Sequence, residues 1–429
     1  MELNYGKTKI ELSLPEQVRA AVLMPKKAQP LENPQKNIVE ALRSPISSQP
    51  LNKIVKPGET ICLVVNDSTR VARTELFLPL IVDELNRAGI CDQDISIIFA
   101  NGSHRPMSEQ EMIAQIGEPM ALRIRHYNHD SRDENNLVYM GDTKRGTPVF
   151  VNKIAAEADR LILTGSVVHH FFAGFGGGRK ALVPGVAGWE TIRKNHSLLL
   201  DPQARSGALQ GNPVHEDLLQ AAQMLKVDFI LNTVLNEDKK IVAAFAGDMV
   251  VAHLAACDLV NQLNAVTVDE PADLVIASCG GYPKDINLYQ AHKTLDNAMQ
   301  ALKPGGTLIL LAECAEGIGS EIFEEWITRH SGFQEMEQAL RENFVLGGHK
   351  AYTVSRLVKQ ARVYIMSELD SHPLVKLGFI PVQSVAEALD KVFEALNRPK
   401  TVIIPQGSLV LPCLNKGAKN VNGNNSSFT

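Results

Sequence analysis

Short apolar runs alternate along the chain with segments of helical spacing. Residues 60–65 are β-rich and end at Asn66-Asp67. Leu76, Leu80, Ile81 and Leu85 then recur at helical spacing. Residues 95–100 and 160–164 form further apolar runs, closed by Asn101-Gly102 and Gly165-Ser166. Continuous apolar strands bounded by turn residues are the mark of parallel sheets buried on both faces. Residues 236–240, Asn-Glu-Asp-Lys-Lys between two β-like runs, read as a hairpin turn. Asp269-Glu270-Pro271 breaks the chain, and the alternation restarts. It predicts strands over 272–278, 307–311, 362–366 and 401–404, and helices over 289–302 and 385–396.

The pattern predicts an α/β protein of two Rossmann-like α/β domains, with the active site in the cleft between them. The expected boundaries are 1–268 for an N-terminal domain, 269–407 for a C-terminal domain closing over substrate, and 408–429 for a terminal segment with a loose tail rich in Asn, Gly, Ser and Lys. A length of 429 residues fits two cores better than one. A net charge of −5 and a pI near 6.2 argue against a nucleic-acid binder. None of the six cysteines forms a CxxC pair, so a zinc ribbon is not expected. The N-terminus has no apolar core for a signal peptide, and no run reaches the ~20 apolar residues of a membrane span. The expectation is a cytoplasmic protein without membrane or nucleic-acid partners.

Candidate chemistry clusters after the predicted strands, where open α/β sheets bind ligands. Asp67-Ser68-Thr69-Arg70 offers an acid, two hydroxyls and a guanidinium. It reads equally as a carboxylate-binding fork or a helix cap. His104, in Asn-Gly-Ser-His-Arg-Pro, and His170 supply side chains that exchange protons near neutral pH. Residues 174–180, Gly-Phe-Gly-Gly-Gly-Arg-Lys, let the backbone approach a ligand and could form an anion nest. They do not make a Walker A loop, which needs Gly-Lys-Ser/Thr. A flexible turn is the alternative. Tyr289, Gln290 and Lys293 share one face at a predicted helix start, either as an anion-binding group or as part of an ordinary amphipathic helix. His126, His129, His215, His253, His330, His349 and His372 read as structural or solvated.

Together these segments resemble the nickel-dependent lactate racemase family of 2-hydroxyacid racemases and epimerases. The resemblance rests on Asp67-Ser-Thr-Arg70, Gly102-Ser-His104-Arg105, His170-x-x-Ala-Gly-Phe-Gly-Gly-x-x-Lys180, Asn195-His196 and Tyr289-Gln290-x-x-Lys293, in family order. It implies that Lys180 carries a pyridinium-3,5-bisthiocarboxylic acid mononucleotide, the nickel-pincer nucleotide, through a thioamide link. His196 would be the one protein ligand to nickel, and His104 and His170 the acid–base pair. Arg70, Tyr289, Gln290 and Lys293 would hold the substrate. Asp67, Ser68, Thr69, Gly176, Gly177 and Gly178 would position the cofactor. The implied reaction inverts C2 of a small 2-hydroxy acid by proton-coupled hydride transfer. The implied partners are proteins that build the cofactor and insert nickel.

The family's C-terminal domain adds a tryptophan near the site, and neither Trp189 nor Trp326 is matched to it. Lactate is therefore the default substrate, with malate or a sugar acid open. Two other functions share these residue types. An NAD(P)-dependent 2-hydroxyacid dehydrogenase is disfavoured because no strand leads into a GxGxxG fingerprint. A non-catalytic metabolite-binding homologue is disfavoured by the joint presence of His104, His170, Lys180 and His196.

Overall fold

The structure is a computed structural model and describes residues 1–415. The tail expected at the C-terminus lies outside the described residues from 416 onward. The architecture is mixed α/β with two six-stranded, largely parallel sheets. Contacts divide the chain into Lys27–Leu263 and a second unit joining Met1–Lys26 to the chain from Asn264 on. Among the described residues no helix is long and apolar enough to cross a membrane.

In the Lys27–Leu263 unit the strand order is Ile241–Gly247, Val227–Leu235, Arg160–Ser166, Ile61–Asn66, Ile95–Ala100, Arg125–Asn128. Only the first pair is antiparallel, joined by the hairpin expected at 236–240. Ile61, Cys62, Leu63, Val64 and Val65 are buried in succession, as a strand covered on both faces requires. Helix Thr74–Arg87 turns Phe77, Leu78, Ile81, Val82 and Leu85 into the core. The expected Leu76 and Leu80 sit at the half-buried margin of that stripe. From Ile61–Asn66 the chain builds outward to Arg125–Asn128, then returns to place Arg160–Ser166 on the other flank. Where strand order reverses in this way, the two loops diverge and leave a crevice beyond the carboxyl ends. Asp67 follows the first of these strands, and His170 and Lys180 follow the second.

The second unit's sheet runs Ile380–Val382, Arg362–Met366, Leu302–Leu311, Ala272–Ser278, Thr401–Ile404, Ala20–Val22, all parallel. Here the structure departs from the boundary at 268. Ala20–Val22 pairs with Thr401–Ile404, and Leu3, Tyr5 and Leu12 enter this unit's core. A three-residue, largely exposed edge strand has no apolar period by which a sequence could announce it. The helix expected over 289–302 is Leu288–Met299, because Leu302 already pairs with Ala272 in the sheet.

The glycine run is stapled from behind. Gly174–Phe175 pairs antiparallel with His169–His170, and a 3₁₀ turn spans Gly178–Ala181. Arg179 is 1% exposed, and its Nη2 donates to the carbonyls of Ala173 (2.9 Å) and Phe175 (3.3 Å). His253 Nε2 donates to the Gly176 carbonyl at 2.8 Å, with Arg179 Nη1 3.2 Å from the same nitrogen. Burial, and then the Arg179 charge, push the His253 pKa down to about 3.

Two outcomes follow from this packing. Leu3→Ala should cost about 3 kcal/mol by leaving a cavity under the second sheet; a melting temperature equal to wild type would refute the N-terminal packing. An unfolded chain takes up a proton at His253 as pH falls below 6.5, whereas the folded chain does not until about 3. Stability should therefore fall on acidification through that window, by up to about 1.4 kcal/mol per pH unit from this group. Urea titrations at stepwise pH should show a shallower slope for His253→Asn, and equal slopes would contradict the assignment.

Candidate active site

The first cluster forms where the loops after Ile61–Asn66 and Ile95–Ala100 meet. Asp67 is 2% exposed, and its Oδ2 accepts from His104 Nδ1 at 2.6 Å. Thr69 Oγ1 donates to the same carboxylate at 2.9 Å. A carboxylate can only accept, so the neutral His104 ring carries its proton on Nδ1 and leaves the Nε2 lone pair available. Tight turns place both groups: Arg70 N donates to Asp67 O, and His104 N donates to Asn101 O. Gly102 holds a left-handed φ of +55° there, and its N–H donates to Gly185 O at 2.8 Å. The acid expected to position a cofactor thus lies against the expected base. Ser68, Thr69 and Arg70 are exposed beside it.

The second cluster gathers on the Phe172 ring. His170 stands edge-on to it with centroids 4.6 Å apart, and His196 does so at 5.0 Å. The Lys180 Nζ lies 5.6 Å from the same centroid. Phe172 was passed over in the sequence as one more apolar residue, although it sits inside the segment that names Lys180. Its ring borders three polar groups at once. His196 is buried on helix Trp189–Ser197. That helix is held through Asn195, whose Nδ2 donates to Asp217 at 2.9 Å. Ala173 N donates to His170 Nδ1 at 3.3 Å, which puts the neutral ring's proton on Nε2.

Burial holds the Lys180 pKa well below its usual 10.5, and the positive charges of Arg179 and Arg70 add to the effect. A lowered pKa favours the neutral, nucleophilic form of the amine. The glycines before it have structural work. Gly176 N donates to Val168 O, and Gly178 N donates to Asn232 Oδ1 at 2.8 Å. A Cβ on Gly177 would meet Val167 at 2.7 Å, and one on Gly178 would meet the His253 ring at the same distance. Two of the N–H groups expected to cradle a cofactor are therefore bonded within the protein.

Tyr289, Gln290 and Lys293 belong to the second unit, on helix Leu288–Met299. The N–H groups of Leu288 and Tyr289 donate to the carbonyls of Gly317 and Ile318, and Gln290 N donates to Asn287 Oδ1. The opening N–H groups of this helix are taken, so anion binding falls to side chains. Lys293 Nζ donates to Gln290 Oε1 at 2.8 Å, as expected for residues three apart. Two neighbours that sequence reading did not select, His292 and Lys350, are joined at 2.7 Å beside Tyr289.

The chain matches the family model of the lactate racemase N-terminal domain over residues 5–207 and that of the C-terminal domain over 267–411. It is 35% identical over 422 residues to a lactate racemase from Thermoanaerobacterium thermosaccharolyticum, covering 96% of this chain and 98% of that protein. It is 34% identical to the lactate racemase of Lactiplantibacillus plantarum, over 87% of this chain and 89% of that one. The solved lactate racemase apoprotein from T. thermosaccharolyticum superposes with a TM-score of 0.87 at 34% identity, over 96% of this chain and 99% of that chain. A Thermotoga maritima protein at 20% identity shares the fold, with a TM-score of 0.65 over 90% of this chain and all of the other. On these matches the chain belongs to the lactate racemase family.

Proposed function

We propose that this protein racemises or epimerises a 2-hydroxy acid at C2, lactate in the first instance, with a nickel-pincer nucleotide tethered to Lys180. The observation that carries the reading is the desolvated Lys180 amine, facing the same phenyl ring as His170 and His196. An amine attacks a carboxyl-derived carbon only in its neutral form, and its surroundings, with the charges of Arg179 and Arg70, lower the Lys180 pKa and so favour that form. Among the described residues no three His, Cys, Asp or Glu side chains form a metal cluster. A single histidine ligand, His196, then suits a metal whose other donors come with a covalently held group. When bound, that group supplies the capacity to accept the C2 hydrogen as hydride and return it.

The protein's own share is proton transfer and positioning. His104 takes the substrate hydroxyl proton at Nε2, while Asp67 holds Nδ1–H and stabilises the resulting imidazolium. His170 serves the opposite enantiomer as the acid of the pair, returning a proton to the hydroxyl oxygen from Nε2. Arg70, Tyr289, Gln290 and Lys293 hold the acid, with arginine suited to a carboxylate by its two parallel donors. We extend the proposal to the domain plan: each unit is Rossmann-like, and the Lys27–Leu263 unit holds the tether and both bases. Ser68, Thr69 and the glycines Gly176, Gly177 and Gly178 stay in the proposal as the wall along the nucleotide rather than as its phosphate cradle.

Intact mass spectrometry on protein from a cofactor-producing host tests the tether. The expected result is the added mass of a nickel mononucleotide, absent in Lys180→Ala. An unmodified mass with NAD-dependent turnover would instead establish the dehydrogenase. Asp67→Asn should lower kcat by about 10²–10⁴-fold while the added mass is retained. Loss of the added mass in that variant would return Asp67 to cofactor binding.

A further inference from the structure

Arg179 keeps a positive charge inside the protein that no negative group answers. It is among the largest fully buried side chains. Its Nη2 is bonded to the carbonyls of Ala173 and Phe175. Its Nη1 lies 3.2 Å from His253 Nε2, but that nitrogen faces the Gly176 carbonyl at 2.8 Å. A carbonyl can only accept, so His253 Nε2 carries a proton of its own and takes none from Arg179. The buried Nε has no partner. Among the described residues, the ionisable group that would favour the charge is the Cys257 thiol, and burial pushes that thiol up to about 12. It is uncharged at neutral pH, whereas Arg179 is charged. Buried charges are ordinarily paired, because an unpaired one forfeits its hydration.

The same side chain lines a cavity of about 270 Å³ bordered by helices Pro213–Gln223 and Val251–Asn264. Leu209, Leu219, Met249 and Leu254 give the cavity apolar walls. Its buried polar groups are Arg179, His215 and His253. Burial, and then the Arg179 charge, push both histidines down to about 3, so Arg179 is the one buried charge there. His215 Nδ1 is a second buried nitrogen without a partner. Glu216 also lines the cavity but is exposed, and its carboxylate accepts from Arg145 Nη2 at 2.8 Å and Gly211 N at 2.9 Å. None of His104, His170, Lys180 and His196 belongs to this lining. Two consecutive residues thus serve different surroundings: Lys180 meets the Phe172 ring, and Arg179 meets this cavity.

Apolar walls with one or two placed polar groups are the usual make-up of a small-molecule site. A cation is repelled by Arg179. An inorganic anion leaves the leucines uncovered, and a neutral apolar molecule leaves the charge unanswered. We propose that this cavity is a second binding site, for a monocarboxylic acid with a short aliphatic tail, the carboxylate set against Arg179 and His215 and the tail against the leucines. The site is separate from the racemisation chemistry and does not rest on the nickel-pincer reading.

The test titrates holoenzyme calorimetrically with hexanoate, and with hexanol and hexylamine, which keep the tail and remove or reverse the charge. Hexanoate should bind with a Kd of about 1 mM or tighter, and hexanol and hexylamine at least about tenfold more weakly. Absent hexanoate binding, or hexanol binding as tightly, overturns the proposal. Leu219→Trp and Leu254→Trp narrow the cavity from its two helices and distinguish it from the racemisation site. Both should racemise lactate at the wild-type rate and bind hexanoate at least about tenfold more weakly. Unchanged hexanoate affinity in these variants places the acid elsewhere and overturns the proposal. Leu254 is 41% exposed, so Leu254→Trp decides if Leu219→Trp lowers the melting temperature. Arg179→Met should lose the preference for hexanoate over hexanol, and a folded Arg179→Met protein that keeps it also refutes the assignment. If Arg179→Met does not fold, the wild-type comparison of the three probes decides the role of charge.

Discussion

Placing two consecutive basic side chains, the buried Arg179 and the half-buried Lys180, is the constraint around which the Lys27–Leu263 unit is arranged. Each is resolved differently. Arg179 stays charged, its pKa lowered only to about 10, and spends its donors on the carbonyls of the glycine run. Lys180 meets an aromatic ring and two positive charges, and is pushed toward the neutral amine. The glycines follow from this. Gly177 and Gly178 adopt φ of +72° and +53° and lie against Val167 and His253, with no room for side chains. The loop is a collar bonded within the protein that carries the Lys180 amine. His253 completes the collar as a neutral residue, which makes the arrangement sensitive to acid.

Much of this plan was legible in the chain. The strands Ile61–Asn66, Ile95–Ala100 and Arg160–Ser166 carry unbroken apolar runs because both faces are covered, and such runs are easily seen. The chemistry at their ends was legible because turn residues mark where strands stop. The N-terminal strand Ala20–Val22 was hidden, since its neighbour Thr401–Ile404 is some 380 residues away and three residues give no period. The Asp67–His104 contact was hidden for a related reason. A short acid-hydroxyl-arginine run suggests a local ligand, whereas its partner, His104, comes from the next strand's loop.

Phe172, His292 and Lys350 were missed because their importance is relational. A phenylalanine beside glycines looks like core until His170, His196 and Lys180 are seen against one ring. Lys350 looks like a surface lysine in an amphipathic helix until its burial and its bond to His292 are known. Trp326, left unmatched to a pocket role from sequence, packs beneath Gly348.

The account turns on the protonation state of Lys180. Trace acetylation of the apoprotein across pH 6 to 11, read by peptide mass spectrometry, measures it directly. The expected reactivity of Lys180 levels off well below the midpoint of about 10.4 of an unperturbed lysine. A Lys180 profile that rises in step with the exposed lysines would contradict a neutral, preorganised amine and with it the central claim.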